Sequence, residues 1–135
     1  MASNILVDSS VFIDLLRASR DPAWVMRNWV GKRNLATCGM VRLEVLRGVQ
    51  SPKRFAGISA FMDAMINVPT DPDLWTEATD LAWKLDRRGI VIPGPDLVIA
   101  ACALRIHAAV LTSDAHFQHI DGLRVIAPPP EWFAP

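Results

Sequence analysis

The chain of 135 residues holds only two cysteines, Cys38 and Cys102, far apart and set among apolar neighbours. With no CxxC pair and no metal-ligand spacing, a disulfide framework and a cysteine zinc site are excluded, leaving buried free thiols. The three histidines, His107, His116 and His119, form no zinc signature either. No apolar run reaches the ~20 residues of a bilayer-spanning helix. The start, Met1-Ala2-Ser3-Asn4, lacks the basic segment and cleavage site of a secretory signal, so the expected location is cytoplasmic. Net charge is zero. Bulk attraction to nucleic acid is thereby excluded, and any such binding needs a local basic patch or a bound metal. There is no repeat, low-complexity tract or linker. One domain over residues 1–127 with an irregular tail, 128–135, is expected.

Apolar residues make up 51% and charged residues 21%, a globular profile. Residues 1–60 carry nine Lys/Arg against four Asp/Glu, and residues 61–135 carry five against ten. Eleven of the fourteen basic residues are Arg, suited to bidentate phosphate contacts, although a solvated surface explains the pattern equally well.

Four acids stand where charge is normally avoided. Ile5-Leu6-Val7 precedes Asp8, Val41 and Val45 flank Glu44, Leu97-Val98-Ile99 follows Asp96, and Val110-Leu111 comes just before Asp114. A buried carboxylate is costly unless it is paired or holds a metal. Each has a plainer use. Asp8, Asp96 and Asp114 can cap helices or complement their dipoles, and Glu44 can pair with Arg47 one turn on. If the four converge, oxygen-only ligation favours a hard cation, Mg2+ or Mn2+.

Short apolar segments alternate with helical patterns. Strands are expected at 4–7, 35–38, 66–68, 109–112 and 123–126. Helices are expected at 10–18 (capped by Ser10), 22–30, 40–47, 52–65, 71–88 and 96–107, with a short turn or helix at 114–119. Alternation of this kind predicts an α/β/α sandwich with a mostly parallel central sheet flanked by helices. Asp8 and Asp114 then end parallel strands, where open α/β sheets bind ligands.

The segments Leu6-Val7-Asp8-Ser9-Ser10-Val11-Phe12-Ile13-Asp14, Val41-Arg42-Leu43-Glu44-Val45-Leu46-Arg47-Gly48, Pro95-Asp96-Leu97-Val98-Ile99-Ala100-Ala101 and Leu111-Thr112-Ser113-Asp114-Ala115-His116-Phe117 occur in this order. Together they resemble the PIN domain, and more narrowly the VapC-type toxin of VapBC toxin–antitoxin systems. The resemblance implies a PIN-like fold and a Mg2+/Mn2+-dependent endoribonuclease that hydrolyses RNA with metal-activated water. It places Asp8, Glu44, Asp96 and Asp114 at the catalytic metal site, with Ser10 and Thr112 hydrogen-bonding the carboxylates or water. His116 stands where similar proteins often carry a further Asp, and either contacts phosphate or packs. Asp14 matches a common position, with pairing to Arg17 as its expected use. A homodimer and a VapB-type antitoxin whose tail enters the acidic groove are also implied; transfer, ribosomal and messenger RNA stay equally open as substrates.

Two other functions fit the acids. One is an aspartyl-phosphate phosphohydrolase with Asp8 as nucleophile, although such sites place an Asp where Ser10 stands. The other is a non-catalytic RNA- or protein-binding module that keeps the acids as structure.

Overall fold

Residues 3–134 are described by the computed structural model. Ile5, Leu6 and Val7 cannot face water, and the chain buries them as the middle of a sheet: these three residues of β1 (Asn4–Val7) are almost inaccessible. It pairs in parallel with β2 (Asn34–Cys38) on one side and β4 (Ala109–Leu111) on the other, Leu6 lying opposite both Ala36 and Val110. Outside these lie β3 (Ile66–Val68) against β2 and β5 (Val125–Ile126) against β4, also parallel. The five strands run in the order β3-β2-β1-β4-β5. Continuous apolar runs are what a parallel sheet covered on both faces demands.

Six helices make the crossovers: α1 (Ser9–Arg17) and α2 (Pro22–Val25), α3 (Gly39–Leu46) and α4 (Pro52–Asp63), then α5 (Pro72–Arg87) and α6 (Gly94–Arg105). Chain order moves outward from β1 to β3, then returns to the other side of β1. The reversal leaves a crevice beyond the carboxyl ends of β1 and β4. Asp8 follows the first of these strands, and Thr112 to Asp114 follow the second. Helix α6, with Leu97 through Ala103 all buried, is the most enclosed of the six and brings its first turn to this region.

Three local expectations are corrected. Helix α1 is capped by Asp8 rather than Ser10, because the Asp8 carboxylate accepts the Ser10 N–H. Helix α2 stops at Val25, not Val30. There the Arg27 guanidinium lies 3.6 Å from the Trp24 ring centroid and donates to the Trp24 carbonyl at 2.7 Å, satisfying a helix-end acceptor from outside. The tail is not wholly irregular: Pro130–Phe133 form a 3-10 turn that buries Trp132 edge-on to Trp29, ring centroids 4.8 Å apart. The Arg20 guanidinium holds the Ala134 carbonyl beside it. Trp132→Ala should therefore cost about 3 kcal/mol in a urea unfolding titration, with metal affinity unchanged.

Candidate metal centre

Asp8 sits at the end of β1 with 2% of its surface exposed. Its Oδ2 accepts from the Ser10 hydroxyl at 2.6 Å, the Thr112 hydroxyl at 2.8 Å and the Ser10 N–H at 3.4 Å. Both hydroxyl protons are thereby committed to Asp8, so the 3.2 Å approach of Ser10 Oγ to Thr112 Oγ1 is a contact without a proton between them. Each hydroxyl also accepts a backbone N–H, Ser113 at 3.2 Å for Ser10 and Asp114 at 2.9 Å for Thr112. The loop after β4 is in this way sewn to the loop after β1. Thr112→Val should cost about 1–3 kcal/mol by chemical denaturation, since a buried carboxylate and an N–H both lose a partner.

The other Asp8 oxygen differs. Oδ1 is buried and, among the described residues, has no hydrogen-bond partner. An unpartnered carboxylate oxygen away from water calls for a cation.

The other three acids have partners of their own. Asp96, in the first turn of α6 with its side chain 14% exposed, lies 2.7 Å through Oδ2 from His116 Nδ1. Asp114 Oδ1 is 3.1 Å from the same nitrogen and also accepts the His116 N–H at 3.0 Å. Glu44, half-buried on α3, accepts the Ser9 hydroxyl at 3.0 Å. Burial raises the pKa of Asp96 above the usual carboxylate range against the opposing His116 bond, with the charges of Asp8 and Asp114 adding to the rise. Burial likewise raises Glu44 against its Ser9 bond, and Asp8 and Asp96 raise it further. The bond to Asp96 raises His116, assisted by Asp114 and Asp8. The Asp8 charge adds to the rise at Glu44, Asp96 and His116, and the Asp114 charge to that at Asp96 and His116.

Ligand atoms of Asp96, Asp114 and His116 lie within 4.8 Å of one another, close enough to hold a metal ion. A hard-oxygen set with one imidazole and a vacant Asp8 lone pair fits a divalent cation. Beside Glu44 opens a cleft of ≈ 630 Å³ between α1, α3 and the start of α4, lined also by Arg17 and Arg54. Neither arginine makes an ion pair among the described residues.

Two expected pairings are corrected. Asp14 accepts the Ser113 hydroxyl at 2.8 Å instead of pairing with Arg17. Glu44 bonds Ser9 instead of Arg47. Ser9 and Ser113 were not singled out by sequence. Only their adjacency to Ser10 and Asp114 hinted at them. His116 is neither packed away nor remote from the acids: it joins two of them.

The fold and site define an α/β protein with a carboxylate centre at the carboxyl edge of a parallel sheet. A family model for the PIN domain matches residues 5–123, and the chain belongs to that family. No curated protein matches the chain significantly. Solved structures do. VapBC2 from Rickettsia felis, bound to a DNA fragment from its promoter, superposes with TM-score 0.76 at 16% identity, covering 92% of this chain and 98% of that one. VapBC-5 from Mycobacterium tuberculosis gives TM-score 0.61 at 24% identity, with 93% and 97% covered. VapC20 from the same organism, a Sarcin-Ricin loop cleaving toxin, gives 0.62 at 18%, with 89% and 98% covered. The chain therefore has the fold of VapC toxins. Among the described residues no helix is long and apolar enough to cross a membrane.

Proposed function

We propose that this PIN domain is the toxin of a type II toxin–antitoxin system, a Mg2+/Mn2+-dependent endoribonuclease acting in the cytoplasm. Hydrolysis of an RNA phosphodiester by water would leave a 5′-phosphate and a 3′-hydroxyl. The observation that carries this reading is Asp8 Oδ1, a buried carboxylate oxygen with no hydrogen-bond partner among the described residues, in an acid whose charge bears on Glu44 and Asp96.

Asp8 and Asp96 are the first metal ligands in this proposal, with Asp114 and Glu44 supplying further ligation or orienting the water. When bound, the ion would polarise the phosphodiester, acidify water and stabilise the leaving oxygen. Ser10 and Thr112 hold Asp8 Oδ2, which keeps Oδ1 directed away from them. Glu44, its pKa raised, is suited to orienting the attacking water and taking its proton. Arg17 and Arg54 line the cleft that Glu44 borders and are free to grip strand phosphates. The VapBC complexes support a VapB-type antitoxin as partner, and the Sarcin-Ricin loop cleaving VapC20 supports RNA as substrate; a homodimer completes the proposal.

A panel of transfer, ribosomal and messenger RNAs incubated with the purified chain tests the proposal. Cleavage should require Mg2+ or Mn2+, stop with EDTA, and yield fragments that ligate through a 5′-phosphate. Cleavage undiminished in EDTA, or cyclic-phosphate ends, would contradict it.

A further inference from the structure

We infer that His116 is itself a metal ligand, through Nδ1, and that the resulting nitrogen–oxygen centre prefers Mn2+ to Mg2+, an inference that rests on the metal-centre reading above. Geometry is the ground for it. Nδ1 stands between two carboxylates that do not bond each other, 2.7 Å from Asp96 Oδ2 and 3.1 Å from Asp114 Oδ1. These are the imidazole's protein partners among the described residues, so the ring is committed to the acids.

The chain places it there by local means. Asp114 caps the 3-10 turn Ala115–His119 by accepting the His116 N–H at 3.0 Å, which brings the His116 side chain back over the same carboxylate. Asp96 arrives independently, from the first turn of α6. The three donor atoms, all within 4.8 Å of one another, can share one ion with metal–ligand bonds of roughly 2.0–2.2 Å after small side-chain rotations. A separate observation also calls for a cation: Asp8, 2% exposed at the end of β1, has a buried oxygen with no partner among the described residues, and its other oxygen is tied through Thr112 to the loop that carries Asp114.

The identity of the ion follows from the donors. Mg2+ binds oxygen, demands regular octahedral geometry and keeps its waters. Imidazole raises affinity for first-row transition ions, while carboxylates accept Mn2+ as readily as Mg2+. An all-carboxylate set would discriminate little between the two. One nitrogen among oxygens tips the balance to Mn2+.

The test measures metal binding without RNA. Mn2+ and Mg2+ are titrated calorimetrically into the full chain, His116→Ala and His116→Asp, and Mn2+-loaded samples are examined by electron spin-echo spectroscopy. His116 is nearly half exposed, so both variants should melt within a few degrees of the parent. The parent is expected to bind Mn2+ at least about tenfold more tightly than Mg2+ and to show modulation from a directly bound nitrogen. His116→Ala loses that modulation, and His116→Asp keeps metal binding while the Mn2+ preference shrinks several-fold. Mn2+ bound without nitrogen modulation, or an unchanged preference in both variants, would overturn the inference alone. No metal binding by the parent would overturn the metal-centre reading with it.

Discussion

Asp8→Asn is expected to lower RNA hydrolysis by at least ~10²–10³-fold in saturating Mg2+ or Mn2+, with the fold intact. The asparagine carbonyl can still accept from Ser10 and Thr112 and still cap α1, so the two loops stay joined. What changes is the other atom. A neutral NH2 replaces the unpartnered oxygen, and the negative charge that a cation needs is gone. Metal-free stability should hold or rise, because a buried charge with no counter-ion among the described residues has been removed. Single-turnover cleavage and thermal melting measure the two effects on one sample. Hydrolysis at the parent rate in Mn2+ would remove Asp8 from the mechanism.

The second large effect is a reversal in how stability depends on pH. Asp96 and Glu44 have pKa values raised above 3.8 and 4.5, and His116 above 6.5. Over the windows just above those ordinary values, the folded state binds more protons than the unfolded chain. Stability then falls as pH rises. The metal-free protein should lose stability first through the upper carboxylate range, as Asp96 and Glu44 ionise together. It should lose more as pH climbs from about 6.5 through the raised value of His116. A bound ion inverts the slope, because it needs deprotonated ligands and displaces their protons. At a free Mn2+ concentration a hundredfold above Kd, the native state gains ~2.7 kcal/mol, on the order of 10 °C in Tm for a chain this size. Melting curves from pH 4.5 to 8, with and without Mn2+, should diverge as pH increases. Parallel curves would mean that these acids are not where the metal binds.

The sheet, and the carboxylates that follow its central strands, were legible because both leave local marks. Three apolar residues in a row before Asp8 cannot be a half-exposed strand, and a carboxylate ending such a run points to the carboxyl edge of a buried sheet. What escaped was set by contacts between distant residues. Thr112 reaches Asp8 across 104 positions, a contact that the family resemblance implied but that no local pattern shows. Asp14 turned from Arg17 to Ser113 because the loop after β4 descends on α1, a consequence of strand order. Helix α2 ended early through a side-chain cap that propensity does not register. His116 was placed in outline, but its position between Asp96 and Asp114 depends on where α6 meets the 3-10 turn. Trp132 found Trp29 by the same kind of long-range docking.

Crystals of the full chain soaked in Mn2+ and measured for anomalous scattering at the manganese edge give the most direct test of a shared cation pocket. A single strong peak within bonding distance of Asp8 Oδ1, Asp96 and Asp114 is predicted. A saturated crystal with no peak there, its His116 still bonded to Asp96, would contradict the account.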